Sequence, residues 1–167
     1  MSGNGLPKLL FVGRGRSGKG EAGLWFAKHT NCVYAGSLSW VNADKIAADL
    51  GVSVEQAYAE RHQNRNYWRA WLDKYREGDE SRLCRDALEK GNITDGTRAL
   101  AELKAVRAGK MFDLIIWIER AEAPHDPTLE FGPEGADVVI NNNDSLEAYH
   151  ERLERFARTL RGVTLLT

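Results

Sequence analysis

This chain has little with which to hold itself together outside a core. Cysteine occurs twice in 167 residues, at Cys32 and Cys84. That is too few for a disulfide framework, and both sit among apolar neighbours, so they read as reduced core residues. No apolar run approaches the roughly 18 residues that span a bilayer. An excess of one charge is also missing. With 23 Lys and Arg against 24 Asp and Glu, the formal net charge is −1, so the global basic signature of a nucleic-acid-binding protein is absent, although a local basic groove is not excluded. The lead 1–7 lacks the charged and apolar regions of a signal peptide, and a cytoplasmic protein that does not enter membranes is the default expectation. Proline is scarce, and Pro124, Pro127 and Pro133 fall in one stretch with two glycines, which marks 122–135 as an exposed loop.

What is present suits one α/β domain. Apolar residues make up 43% of the chain, enough for a real core, and the length leaves little room for a second unit. Lys8–Val12 is a short apolar run that meets a Gly-rich turn, as a buried parallel strand does. A helix is expected over 18–29 and a second strand over 32–35. Several helical pieces are expected between about 41 and 90, among them 64–76 and 79–90, the latter with Leu83, Ala87 and Leu88 on one face. A third strand ends at Asp95, a helix covers 98–108, and 112–118 is the clearest central strand. A fifth strand is expected at 137–140. Asp144-Ser-Leu-Glu147 has capping-box spacing, and Leu146, Tyr149, Leu153, Phe156 and Leu160 then form an apolar helical face. Val163–Leu166 offers a short last strand. The alternation of strands and helices implies a parallel sheet covered on both faces.

The motif that carries chemistry is Gly13-Arg14-Gly15-Arg16-Ser17-Gly18-Lys19-Gly20. It has the spacing G-x-x-x-x-G-K, after an apolar strand and before a helix. Glycines let backbone N–H groups converge on one anion, and the helix N-terminus adds partial positive charge. Lys19 can reach β- and γ-phosphates as a mobile point charge. The Ser or Thr that usually follows this lysine and binds Mg²⁺ is replaced by Gly20, and Glu21 comes next. This weakens a GTPase or motor-ATPase reading. Asp95-Gly96-Thr97-Arg98 lies at the end of a strand, where open parallel sheets carry their ligands. Asp95 can hold Mg²⁺ or accept the proton of an attacking hydroxyl, and Arg98 can clamp a phosphate.

These two motifs together resemble the P-loop nucleoside monophosphate kinases, which carry Gly-Lys-Gly in the loop and Asp-Gly-x-x-Arg after the third strand. Here the arginine comes one residue sooner. The phage-type deoxynucleoside monophosphate kinases are more similar still. They resemble this chain in Arg16-Ser-Gly-Lys19, in Gly96-Thr-Arg98 before a helix carrying Glu102, and in the run Ala136-Asp-Val-Val-Ile-Asn141. The resemblance spans about 8–160 and is poorest over 37–90. It implies a five-stranded parallel sheet in order 2-3-1-4-5, one kinase domain over 1–167, ATP and Mg²⁺ as cofactors, and in-line phosphoryl transfer. It also implies a helical acceptor-binding region at about 37–90 and a lid at about 120–135. Glu21 stands where these relatives carry a threonine that contacts phosphate. Arg120 stands where they use an arginine near the transferring group, and the turn at Asn141–Asp144 lies near their nucleotide base.

The segment Arg61–Arg76 falls in the acceptor region. Arg65, Trp68 and Arg69 share one helix side, so aromatics there could stack a base while arginines hold its phosphate. The competing reading is that Trp68, Trp71 and Tyr75 are core. His125 has no second His or Cys at ligand spacing and is not read as a metal ligand.

Three functions remain open. The leading one is transfer of the ATP γ-phosphate to a (deoxy)nucleotide acceptor, such as a deoxynucleoside monophosphate. Another keeps the chemistry but takes hydroxymethylated DNA as substrate, as do the related phage kinases that phosphorylate 5-hydroxymethyluracil within DNA. The third is a nucleotide-binding regulator without catalysis. The resemblance implies a host cytoplasm as the compartment if the gene is viral, and it leaves monomer and homodimer open.

Overall fold

The computed structural model describes residues 5–167. Five parallel strands form one sheet in the order β2-β3-β1-β4-β5. The strands are β1 (Leu9–Val12), β2 (Tyr34–Ser37), β3 (Ile93–Asp95), β4 (Leu114–Glu119) and β5 (Val138–Asn141). Helix α1 (Lys19–His29) follows β1. Five helices separate β2 from β3: α2 (Leu38–Val41), α3 (Ala43–Leu50), α4 (Val54–Ala59), α5 (Arg65–Arg76) and α6 (Arg82–Leu88). Helix α7 (Leu100–Ala108) precedes β4, and α8 (Leu146–Thr159) follows β5. The expected architecture and strand order are therefore found.

Strand periodicity explains the layering. Successive side chains of β1 point to opposite faces of the sheet. Leu9 and Phe11 join Ile93, Ile116, Phe26, Tyr149 and Leu153 on the α1/α8 face. Leu10 and Val12 join Ile115, Trp117, Leu83 and Leu103 on the α6/α7 face. All four β1 side chains are fully buried, each contributing about 1.5–3 kcal/mol by removal from water. A smaller cluster of Ala43, Ile46, Ala47, Ala57 and Trp68 holds α3, α4 and α5 together beside the main domain.

Several boundaries differ from the sequence reading. The second strand begins at Tyr34 rather than at Cys32. Helix α8 is capped by Ser145, whose hydroxyl accepts from the Ala148 amide, and not by Asp144. Asp144 instead pairs with Arg152. The apolar face of α8 begins at Tyr149, because Leu146 is exposed. The expected last strand is one antiparallel bridge between Thr30 and Leu165. Cys32 and Cys84 are free and buried, as expected. Among the described residues, no helix is long and apolar enough to cross a membrane.

Candidate functional site

The turn 13–18 leaves the C-terminal end of β1 between β3 and β4. In an open parallel sheet this is the edge at which strand order diverges and a crevice opens. Gly18 begins α1 at φ 107°, and a Cβ there would lie 2.5 Å from the Asn142 side-chain nitrogen, so only glycine fits. The turn is braced from α8 and from the end of β5. Asn142 donates to the Ser17 carbonyl at 2.8 Å, and the Tyr149 hydroxyl donates to the Gly18 carbonyl at 2.8 Å. The cap residue Gly18 makes no side-chain hydrogen bond to the start of α1, so it does not compete for the first amides at the positive end of the helix. The Ser17 hydroxyl is buried and has no partner among the described residues.

Lys19 is buried, and its ammonium donates to the Gly13 and Arg14 carbonyls at 3.0 and 2.7 Å. Burial lowers its pKa to about 8, against the pull of Asp95. Asp95, the last residue of β3, is buried at the head of the same crevice. Burial raises its pKa, while the Tyr34 hydroxyl that donates to it, Lys19 and Arg98 oppose that rise. Tyr34 reaches Asp95 by lying flat on α1. A Cβ at Gly23 would meet the Tyr34 ring at 2.5 Å, so glycine at that position makes room for the ring.

Arg98 extends from the turn after β3 to the 120–135 loop, where it donates to Asp126 and, at 3.0 Å, to the Thr128 hydroxyl. The same Asp126 oxygen accepts the Gly15 amide at 3.2 Å. A carboxylate thus occupies a seat formed by a loop amide and a guanidinium. Burial works against that charge, but Thr128 and Arg98 hold the Asp126 pKa well below the ordinary carboxylate range. Arg14 fastens the root of the loop through the Ala123 and Arg120 carbonyls and Glu119. Arg120 is half exposed on the cleft wall, with Glu122 at 3.9 Å as its ion partner.

A cleft of about 1350 Å³ runs from the 13–20 turn to the helical insert. Lys19, Asp95, Arg98, Arg120 and the glycines at 15, 18 and 20 line it together with Arg61, Arg65 and Arg69 of the insert. The turn and the insert feel each other's charge. The His62 pKa is lowered first by Arg61, then by partial burial, by Arg65 and by Arg16 of the turn. Arg65 is exposed, and among the described residues Arg69 has Asp73, at 3.9 Å, as its ion partner. Trp68 lines the cleft but belongs to the insert core at 4% exposure, so its ring is a packed wall and offers no open stacking face. Trp40, at 43% exposure, and Tyr58 are the more accessible aromatics beside it.

Three other residues singled out in the sequence have partners of their own. Glu102 lines the cleft, as expected, but is buried in an ion pair with Arg76 at 2.6 Å and accepts from Thr97 at 3.1 Å. It ties the turn carrying Arg98 to α5 and is committed before any substrate arrives. Glu21 turns to α8 and meets His150 at 2.7 Å, outside the cleft lining. Asn141 accepts from the Asn143 amide and from Arg152 and is likewise outside the cleft. The sequence reading missed Tyr34 and Tyr149 as parts of the site, and it reached Asp126 and Asn142 only through the segments that carry them, the lid-like loop and the turn at Asn141–Asp144.

No family model matches the chain, and no curated protein matches it in sequence.

Proposed function

We propose that this protein is a phosphotransferase that moves the γ-phosphate of ATP to a (deoxy)nucleotide acceptor. The observation that carries the reading is the convergence of Lys19, Asp95 and Arg98 in a cleft that Arg61, Arg65 and Arg69 of the insert also line. Such a cleft offers cationic groups to two phosphate-bearing molecules.

In this reading the amides of the 13–20 turn and Lys19 hold the donor phosphates, with Lys19 leaving the carbonyls of Gly13 and Arg14 for stronger anionic acceptors. The bond from the γ-phosphorus to the β–γ bridging oxygen breaks as an acceptor oxygen bonds to the same phosphorus, and ADP leaves. Arg98 and Arg120 flank the transferring group and neutralise its equatorial oxygens. A phosphate acceptor is already anionic and needs no base. A hydroxyl acceptor gives its proton to Asp95, whose raised pKa suits it to that role.

Mg²⁺ fits this end of the cleft. Among the described residues there is no group of three or more His, Cys, Asp or Glu that could cage a metal, but Mg²⁺ keeps most of its waters and is commonly bound through one or two carboxylates plus substrate phosphates. Asp95 is the carboxylate that would hold it, and its chemistry would be charge neutralisation on the phosphate oxygens.

One observation favours hydroxymethylated DNA as a second acceptor class. Arg65 is exposed and Arg69 nearly free, so both could follow a phosphate backbone past the cleft. Labelled ATP offered with free deoxynucleotides and with modified duplex DNA separates the two, because only the true acceptor takes the label. Replacing Lys19 by Ala should lower that transfer by 10³-fold or more, on the order expected for loss of a principal phosphate contact. Transfer by Lys19→Ala close to wild type would falsify the assignment.

A further inference from the structure

Position 20 poses a question that the sequence leaves open. A loop of this spacing normally follows its lysine with a Ser or Thr hydroxyl that serves Mg²⁺, and here the residue is Gly20. An ideal Cβ at Gly20 would have one neighbour within 4 Å outside its own helix, the Tyr34 hydroxyl oxygen at 4.0 Å. That hydroxyl therefore lies beside the space a serine hydroxyl at position 20 would explore. We infer that Tyr34, from the neighbouring strand, supplies the hydroxyl that the loop lacks and positions Mg²⁺ with Asp95. The inference rests on the phosphotransferase reading and names a residue of that same site.

Three features of the side chain support it. Its proton is committed, because the hydroxyl donates to Asp95. Its oxygen lone pairs are not used in that bond, so they can accept from a water in the ion's hydration shell, one step further out than a phosphate-loop hydroxyl that binds the ion itself. The ring is fixed, because it lies over Gly23 at a distance that excludes any larger residue. The oxygen is also on the right side of the site, since Tyr34, Gly20, Lys19 and Asp95 line the cleft together. Glycine at 20 and glycine at 23 thus have one explanation. The first brings no hydroxyl of its own beside the tyrosine oxygen, and the second leaves space for its ring.

Tyr34 is a positioning residue in this scheme, and its test reads metal rather than turnover. Mn²⁺ is titrated into the protein with ATP present and followed by electron paramagnetic resonance. Tyr34→Phe keeps the ring and removes the oxygen. Its Mn²⁺ affinity in the ATP complex should fall by about tenfold, the lower end of losses for groups that orient a metal's ligands. ATP binding without metal should stay within about twofold of wild type. Gly20→Ser added to Tyr34→Phe returns a hydroxyl at the usual position and should recover most of the lost Mn²⁺ affinity. Unchanged Mn²⁺ affinity in Tyr34→Phe, with ATP still bound, overturns the role of Tyr34 and leaves the phosphotransferase reading intact. Failure of the serine to rescue a folded Tyr34→Phe protein also overturns it, because the loss then belongs to ring packing. If wild type binds no ATP at all, the phosphotransferase reading falls and takes this inference with it.

Discussion

A lysine with a pKa of about 8 is unusual for the role of phosphate ligand proposed for Lys19, because when empty it begins to lose its charge just above neutral pH. Its charge is penalised by burial between two carbonyls and only partly supported by Asp95 and Asp126. A bound phosphate adds negative charge beside it and draws its pKa back up. The sign follows from linkage: binding takes up a proton wherever Lys19 is neutral when empty and charged when occupied. ATP affinity should therefore be flat below about pH 7 and fall as pH rises through about 8, approaching tenfold per unit. Calorimetry in buffers of different ionisation enthalpy would show the proton uptake at pH 8.5. A flat affinity from pH 7 to 9.5 would contradict it. Lys19, Asp95 and Arg98 were legible in the sequence because each sits in a short motif with fixed spacing. Tyr34 was not, and Asn142 was legible only as part of the turn at Asn141–Asp144, because their contacts lie 61 and 125 residues apart along the chain, and no local pattern encodes such a pairing.

At the scale of elements, the loop between β4 and β5 bears on the site most directly. It is pinned at its root by Arg14 and at its tip by Asp126, which sits on the Gly15 amide and the Arg98 guanidinium. Both of those groups are assigned to phosphate in the proposed function, so a phosphate must take their hydrogen bonds from Asp126. Replacing Asp126 by Ala should therefore tighten ATP binding on the order of tenfold, the worth of one charge-assisted hydrogen bond no longer displaced. The same change should make the loop more accessible to limited proteolysis between 120 and 135. Weaker ATP binding in Asp126→Ala would instead give the carboxylate a direct part in holding the ligand. The order of elements was readable from alternating apolar runs and glycine stops. The cap of α8 was misread by one residue, because Asp144 and Ser145 are adjacent cap formers and only the fold gives Asp144 the competing partner Arg152. Trp68 was ambiguous for a related reason, since an aromatic at helical spacing looks the same whether it faces a ligand or the packed residues Ile46 and Ala57.

For the whole molecule, the cleft joins parts of the chain that are held by different cores. The sheet and its flanking helices have two extended clusters, whereas the insert α3–α5 has a small one of its own. A ligand that touches both the turn and the insert ties the insert to the sheet and should stabilise the fold as one unit. At 100 times its Kd, a ligand specific for the folded state adds about 2.7 kcal/mol, which for a chain of this size raises Tm by ~5–10 °C. Thermal melts with ATP should show that shift at both low and moderate salt. If modified DNA is the acceptor, its additional shift should shrink steeply between about 50 and 200 mM salt, as counterion release requires. A shift from DNA that ignores salt would remove the arginines of the insert from its recognition.

The bracing of the 13–20 turn by Asn142 and Tyr149 has a consequence that concerns entropy more than contact. Two carbonyls of the turn are held by residues from the far end of the chain, so the turn is already ordered before any anion arrives. The loss of conformational freedom then falls on folding and not on binding. If the turn takes phosphate as proposed, that capture should carry a small entropic penalty, set by how firmly the C-terminal helix is seated. A residue on α8 that never meets the ligand can thereby govern how tightly it is held.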